Sequence, residues 1–209
     1  MIHVLIADDH PVVRKGIRQI LDATKDIRVV AEATDAEETI IEVATCGCHV
    51  VLFDLSMPGG DGLELIRECR RVSPDVPILV VTMHAEDQFA VRSLRAGAAG
   101  YLTKETAPSE LIAAIRKLVA GGRYISPWLA ERLAEDVAGA GRAPHERLSD
   151  REYQVFRMMA SGKSTREIAA ELSLSVKTIG TYRARIFEKM EMRTNAHLAA
   201  YAVRNRLVD

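Results

Sequence analysis

Cysteine is scarce in this sequence, with three among 209 residues: Cys46, Cys48 and Cys69. That number is too small and too odd for a disulfide framework. The Cys46-Gly47-Cys48 stretch also lacks the two-residue spacer and second ligand pair that a zinc site usually has, so structural roles are expected for all three. Long apolar runs are missing as well, since no stretch approaches the roughly 18 residues of a membrane span. The opening MIHVLIADDHPVV carries acids where a signal peptide would be apolar. A cytoplasmic protein without a membrane partner is therefore expected. Net charge is nearly absent at −1, but it divides unevenly along the chain. Residues 1–122 hold 13 Lys+Arg against 18 Asp+Glu, whereas residues 148–209 hold 11 against 7. Such asymmetry points to an acidic regulatory or metal-binding half joined to a half that meets a polyanion, or else to ordinary variation in surface charge.

What is present is alternation. Apolar runs of strand length occur at 2–7, 27–32, 49–54, 77–82 and 99–103. Amphipathic stretches follow them at about 11–23, 35–45, 61–72, 87–96 and 108–120, with apolar residues spaced by three and four. Strands apolar on both faces between helices predict a doubly wound, five-stranded parallel sheet of the flavodoxin or CheY-like kind, with ligands at the carboxyl ends of the strands. A short helix is expected over 127–137. Then AGAGRAPHE reads as a flexible linker. The expected division is 1–122, a connecting stretch 123–146 and a small all-α domain 147–209. That last domain has four helices: Ser149 with Glu152 forms a capping box, Gly162 stops the first helix, and Ser175 and Thr194 cap the last two.

Asp8 and Asp9 follow the first strand and Asp54 ends the third, which brings three carboxylates to one edge of the sheet. Crowded carboxylates repel unless a hard cation joins them, and Mg²⁺ suits oxygen ligands. The simpler alternative is that Asp8 and Asp9 cap the helix beginning near Pro11. Thr82 ends the fourth strand and Lys104 follows the fifth, so a hydroxyl and an ammonium converge on the same edge. A metal, a lysine and a hydroxyl around one carboxylate is what a phosphoryl group needs.

The motifs DDHP, FDLSMPGGDG, VVTM and GYLTK resemble, in that order, the receiver domain of bacterial response regulators over residues 1 to about 122. The resemblance implies that Asp54 accepts a phosphoryl group from a sensor histidine kinase or a small phosphodonor. It further implies that Asp9, Asp54 and the Ser56 carbonyl ligate Mg²⁺ while Asp8 acts through water. Lys104 pairs with the phosphate, Thr82 turns toward it, and Tyr101 moves inward. Gly59, Gly60 and Gly62 permit the turn beside Asp54. Met83 is bulkier than the residue common at its position in receivers, and His10 and His84 are expected only at the rim.

In the basic half, TREIAAELSLSVKTIGTYRARIFEKM contains two helices and a short turn, a helix-turn-helix arrangement. On the second helix Ile179, Arg183, Ile186 and Met190 share one face, flanked by Val176 and Tyr182. The opposite face carries Lys177, Gly180, Thr181, Ala184 and Arg185 without apolar bulk. It suits a major groove. The segment resembles the four-helix DNA-binding domain of the LuxR, NarL and FixJ group, and KTIGTYRARIFEKM looks closest to global regulators of the GacA, UvrY and BvgA kind. DNA contacts are expected from Lys177, Thr178, Gly180, Thr181, Tyr182, Ala184 and Arg185. The last helix, with Ala196, Ala199, Ala200 and Val203 and then Leu207 on one stripe, is the dimer helix by that resemblance, or packs wholly within its domain.

The expected function is that of a response regulator in which phosphorylation controls dimerisation and sequence-specific binding to double-stranded DNA. RNA polymerase is admissible as a further partner. A Mg²⁺-dependent phosphohydrolase would place a second Asp two positions after the nucleophile; that position holds Ser56, so the chain is not expected to be an enzyme.

Overall fold

Apolar periodicity becomes structure in a simple way here. A computed structural model describes residues 1–58, 61–83, 86–137, 143–172, 174–205 and 207–208. The five apolar runs form strands β1 (Ile2–Ala7), β2 (Ile27–Ala33), β3 (Val50–Phe53), β4 (Ile78–Thr82) and β5 (Gly100–Thr103). All pair in parallel, in the order β2-β1-β3-β4-β5. Between them run α1 (Pro11–Asp22), α2 (Ala36–Thr45), α3 (Gly62–Val72), α4 (Glu86–Ala96) and α5 (Pro108–Val119), followed by α6 (Pro127–Val137). Residues Val4, Ile6, Val50, Leu52 and Leu79 pack one sheet face against Ile17 and Leu21 of α1 and Ile115 and Leu118 of α5. Helices α2, α3 and α4 lie side by side. The strand order reverses between β1 and β3, and in such sheets the crevice at that reversal is where ligands bind.

Local chemistry starts and stops these helices. Pro11 and Pro108 sit in the first turns of α1 and α5, where a missing N–H costs nothing. Asp35 caps α2, and Asp61 caps α3 by accepting from the N–H groups of Leu63 and Glu64. A Cβ on Gly62 would overlap the Leu55 backbone, coming within 2.9 Å of its Cα, so only glycine lets α3 start so close to Asp54. Gly59, Gly60 and His84 lie outside the described residues. Cys48 and Cys69 are buried, and burial pushes their thiols up to about 12 and about 11. Protonated thiols are poor ligands and nucleophiles, in keeping with structural roles.

The described residues fall into two compact units, Met1–Arg132 and Leu133–Asp209. In the second unit lie α7 (Asp150–Ala160), α8 (Thr165–Glu171), α9 (Val176–Met190) and α10 (Asn195–Arg204). Ser149, Ser175 and Thr194 cap α7, α9 and α10 as expected, and Ser164 with Glu167 adds a second capping box at α8. Tyr153, Phe156, Ile168, Ile179, Ile186 and Leu198 are fully buried in its core. Of the expected linker AGAGRAPHE, only the part from Ala143 on is described. Residues 138–142 lie outside the described residues, but Pro144–Arg147 forms a 3₁₀ turn in which Glu146 accepts from the Ala143 N–H at 3.1 Å. His145 Nδ1 then meets the Tyr201 hydroxyl of α10 at 2.7 Å. Proline's fixed φ and these two bonds order a stretch whose composition looks mobile.

Candidate functional site

The switch point of the sheet collects the acids. The Asp54 N–H donates to the Ala7 carbonyl at 2.9 Å, which ties the carboxyl end of β3 to that of β1. The Lys104 N–H donates to the Thr82 carbonyl at 2.8 Å, which joins the ends of β5 and β4 in the same way. One ligand atom from each of Asp8, Asp9, His10 and Asp54 can be chosen so that all lie within 4.8 Å of one another. Asp8 and Asp54 are each 2% exposed, burial that two carboxylates tolerate only with compensation.

Lys104 supplies it. Its Nζ lies 2.7 Å from Asp54 Oδ2 and 2.7 Å from Asp8 Oδ2. Burial works against the ammonium charge, but the bonds to Asp54 and Asp8 outweigh it and raise the lysine above its ordinary pKa. Asp54 Oδ1 accepts from the Ser56 N–H at 3.3 Å, and Asp8 Oδ1 accepts from the His10 N–H at 2.8 Å. Asp8 and Asp9 do not cap α1: its N-cap is His10, which makes no side-chain bond to the helix.

Asp9 Oδ1 is buried without a hydrogen-bond donor. His10 Nδ1 lies 2.7 Å away, within ion-pair distance were the ring protonated, but out of line for a hydrogen bond. Three carboxylates, one with an orphaned oxygen, form an oxygen-rich donor set that fits a hard divalent cation. Thr82, the last residue of β4, and Tyr101, the second residue of β5, are both buried. Met83 is exposed beside Thr82. Sequence reasoning missed Arg14, whose Nη1 donates to the Asp8 carbonyl at 2.6 Å. Its signal was the Arg14 and Arg18 pair at four-residue spacing on α1, with Glu32 near the end of the neighbouring strand.

A second surface lies on α9. Lys177, Gly180, Thr181, Ala184 and Arg185 are all exposed, while Ile179, Ile186 and Met190 face the core. Thr178 and Tyr182 are half-buried at the flanks, and the Thr178 hydroxyl is 2.7 Å from that of Ser175 in the cap. Arg183 departs from the expected apolar face. It is exposed, with its guanidinium 5.4 Å from the centroid of the Phe187 ring, because charge is cheaper at the rim than in the core. Among the described residues nothing lies within 4 Å of a Cβ built on Gly180, so none of them requires glycine there. On α10, Ala196, Ala200 and Val203 are exposed and Ala199 is half-buried. Leu207 leaves that stripe: it is buried, and its carbonyl accepts from Arg157 Nε at 3.0 Å.

Residues 4–116 match the response regulator receiver domain, and residues 146–202 match the bacterial regulatory proteins of the luxR family. The response regulator GacA of Pseudomonas protegens is 41% identical over 100% of this chain and 99% of its own. UvrY of Escherichia coli K12 is 41% identical over 100% and 97%. Among solved structures, RcsB of Salmonella typhimurium aligns with a TM-score of 0.74 and 33% identity over 98% of both chains. RcsB bound to the promoter rprA with the phosphomimetic BeF3- aligns with a TM-score of 0.68 and 33% identity, over 96% of this chain and 98% of that one. Agreement over both halves and the full length places this chain among the two-component response regulators of the NarL/FixJ family, phosphorylation-dependent regulators of transcription with a receiver domain and a LuxR-type helix-turn-helix domain.

Proposed function

We propose that Asp54 is the phosphoacceptor and that a sensor histidine kinase or a small phosphodonor supplies the group. The observation that carries this is Lys104 Nζ at 2.7 Å from both Asp54 and Asp8. An ammonium held between two buried carboxylates is placed to leave them for an incoming phosphoryl oxygen. A carboxylate oxygen of Asp54 attacks phosphorus, the bond to the donor breaks, and the donor takes a proton; an acyl phosphate remains. Lys104 neutralises one phosphoryl oxygen and the Thr82 hydroxyl meets another, with Tyr101 packing behind. Asp9, Asp54 and the Ser56 carbonyl would hold Mg²⁺, with Asp8 acting through water, and Mg²⁺ would supply charge neutralisation at the transferring group.

The division proposed is 1–122 for the receiver, 123–146 for the connection and 147–209 for the DNA-binding domain. Lys177, Thr178, Gly180, Thr181, Tyr182, Ala184 and Arg185 meet double-stranded DNA, and α10, through Ala196, Ala199, Ala200 and Val203, joins two copies of the chain in the active form. The chain acts in the cytoplasm as a regulator, with RNA polymerase as a further partner, rather than as an enzyme.

The test is labelling by a small phosphodonor with Mg²⁺. The parent should be labelled and Asp54→Ala should not. Label on the variant, or equal labelling of the parent in excess chelator, would defeat the assignment.

A further inference from the structure

The β1–α1 turn carries Asp8 and Asp9, yet the N-cap of α1 gives it no side-chain support. Support comes from one turn further on. Arg14 Nη1 donates to the Asp8 carbonyl at 2.6 Å while its Nε donates to Glu32 Oε2 at 3.0 Å. Glu32 lies on β2, opposite Ile6 of β1, and its other oxygen accepts from Arg18 Nε at 2.7 Å. The Arg14 side chain is only 14% exposed, so the bridge is sheltered from water.

Asp8 is then held at every polar group it has. Its N–H donates to the Ala33 carbonyl at 3.1 Å, and its two carboxylate oxygens meet the His10 N–H and Lys104. The carbonyl tied by Arg14 belongs to the peptide that joins Asp8 to Asp9. Freeing that carbonyl lets the peptide rotate, and Asp9, whose Oδ1 has no hydrogen-bond donor of its own, swings with it. We propose that Arg14, clamped by Glu32 and Arg18, is a positioning residue that aims Asp9 at the divalent cation. This rests on the reading of the acidic cluster as a Mg²⁺ site. A planar guanidinium reaches a carbonyl and a carboxylate in two fixed directions at once, which a lysine ammonium does not reproduce.

The experiment follows the thermal midpoint of the full-length protein across a Mg²⁺ series, since a ligand that binds only the folded chain raises it by an amount that grows with the logarithm of its concentration over its dissociation constant. Partners that orient metal ligands typically contribute about 10–100-fold in affinity. Arg14→Lys, Arg14→Gln and Glu32→Ala should each weaken Mg²⁺ binding by about tenfold or more, and Arg14→Lys combined with Glu32→Ala should be little weaker than Arg14→Lys alone. If Arg14 acted only through its charge, Arg14→Lys would match the parent and Arg14→Gln would bind Mg²⁺ more tightly. If it only held the fold together, the metal-free midpoint would drop with Mg²⁺ affinity unchanged. Either result overturns the proposal. A parent protein with no Mg²⁺ response overturns the metal site itself and this inference with it, whereas a responsive parent with unaltered variants overturns this inference alone.

Discussion

Single residues here are placed so that one group answers several needs. Thr82 is buried at the end of β4 and is not a proposed metal ligand, so Thr82→Ala should be labelled at Asp54 as the parent is, yet gain little DNA affinity on labelling. Normal gain would remove Thr82 from the switch. In the second unit, Glu152 plays a comparable part. Its side chain is 3% exposed, and its Oε2 accepts from the Ser149 N–H at 2.7 Å and from Lys189 Nζ at 2.6 Å. Burial alone would raise its pKa, but Lys189 and the Ser149 N–H outweigh burial and hold it below the ordinary glutamate value. A depressed carboxyl stabilises the fold at pH values above its unfolded pKa and loses that contribution as pH falls through the folded one. Urea unfolding of a fragment from Ala143 should therefore show an acid loss that Glu152→Gln lacks, with the variant about 1–3 kcal/mol less stable near neutrality. Identical acid slopes would contradict the pairing. That Asp8, Asp9, Asp54 and Lys104 come together was legible because each stands at or just after a strand end. The Arg14 contacts were not, because they run to a backbone carbonyl and to a strand distant in sequence.

At the scale of elements, α9 carries its meaning in what it leaves bare. Glycine in a helix interior is about 1 kcal/mol less favourable than alanine, and among the described residues nothing lies within 4 Å of a Cβ built on Gly180. Gly180→Ala should thus raise the stability of the fragment by up to about 1 kcal/mol while weakening DNA binding. An alanine variant that binds as the parent does would mean that no backbone approaches there. The strands and helices were readable to within one or two residues, because apolar spacing and caps at Ser149, Ser175 and Thr194 agree with one another. Two local features were not. No glycine marks the end of α9, where Glu191 adopts a left-handed φ of 56°. The Pro144–Arg147 turn was hidden because its order comes from His145 meeting Tyr201, a contact across 56 positions. Both depend on partners that local composition does not reveal. A fragment cut at Arg147 loses that contact and should be less stable than one cut at Ala143.

For the whole molecule the unequal charge sets the terms. The C-terminal unit should bind DNA in a salt-dependent manner, with affinity falling by a log-log slope of about −0.9 for each phosphate contact. Lys177→Ala and Arg185→Ala should each weaken binding and flatten that slope; parent-like binding at every salt concentration would remove α9 as the reading helix. A phosphoryl group at Asp54 must bias an equilibrium in which α9 and α10 become available or two chains associate. Reversing a two-state population from about 1:99 to 99:1 takes about 5.5 kcal/mol, within reach of a dianion held by a metal, Lys104 and Thr82. The most direct measurement is the DNA affinity and mass in solution of the full-length protein, phosphorylated and not, at one salt concentration on a two-half-site duplex. A tighter complex and a dimer are expected for the phosphorylated form; equal affinity and equal mass in both forms would mean that phosphorylation does not control DNA binding.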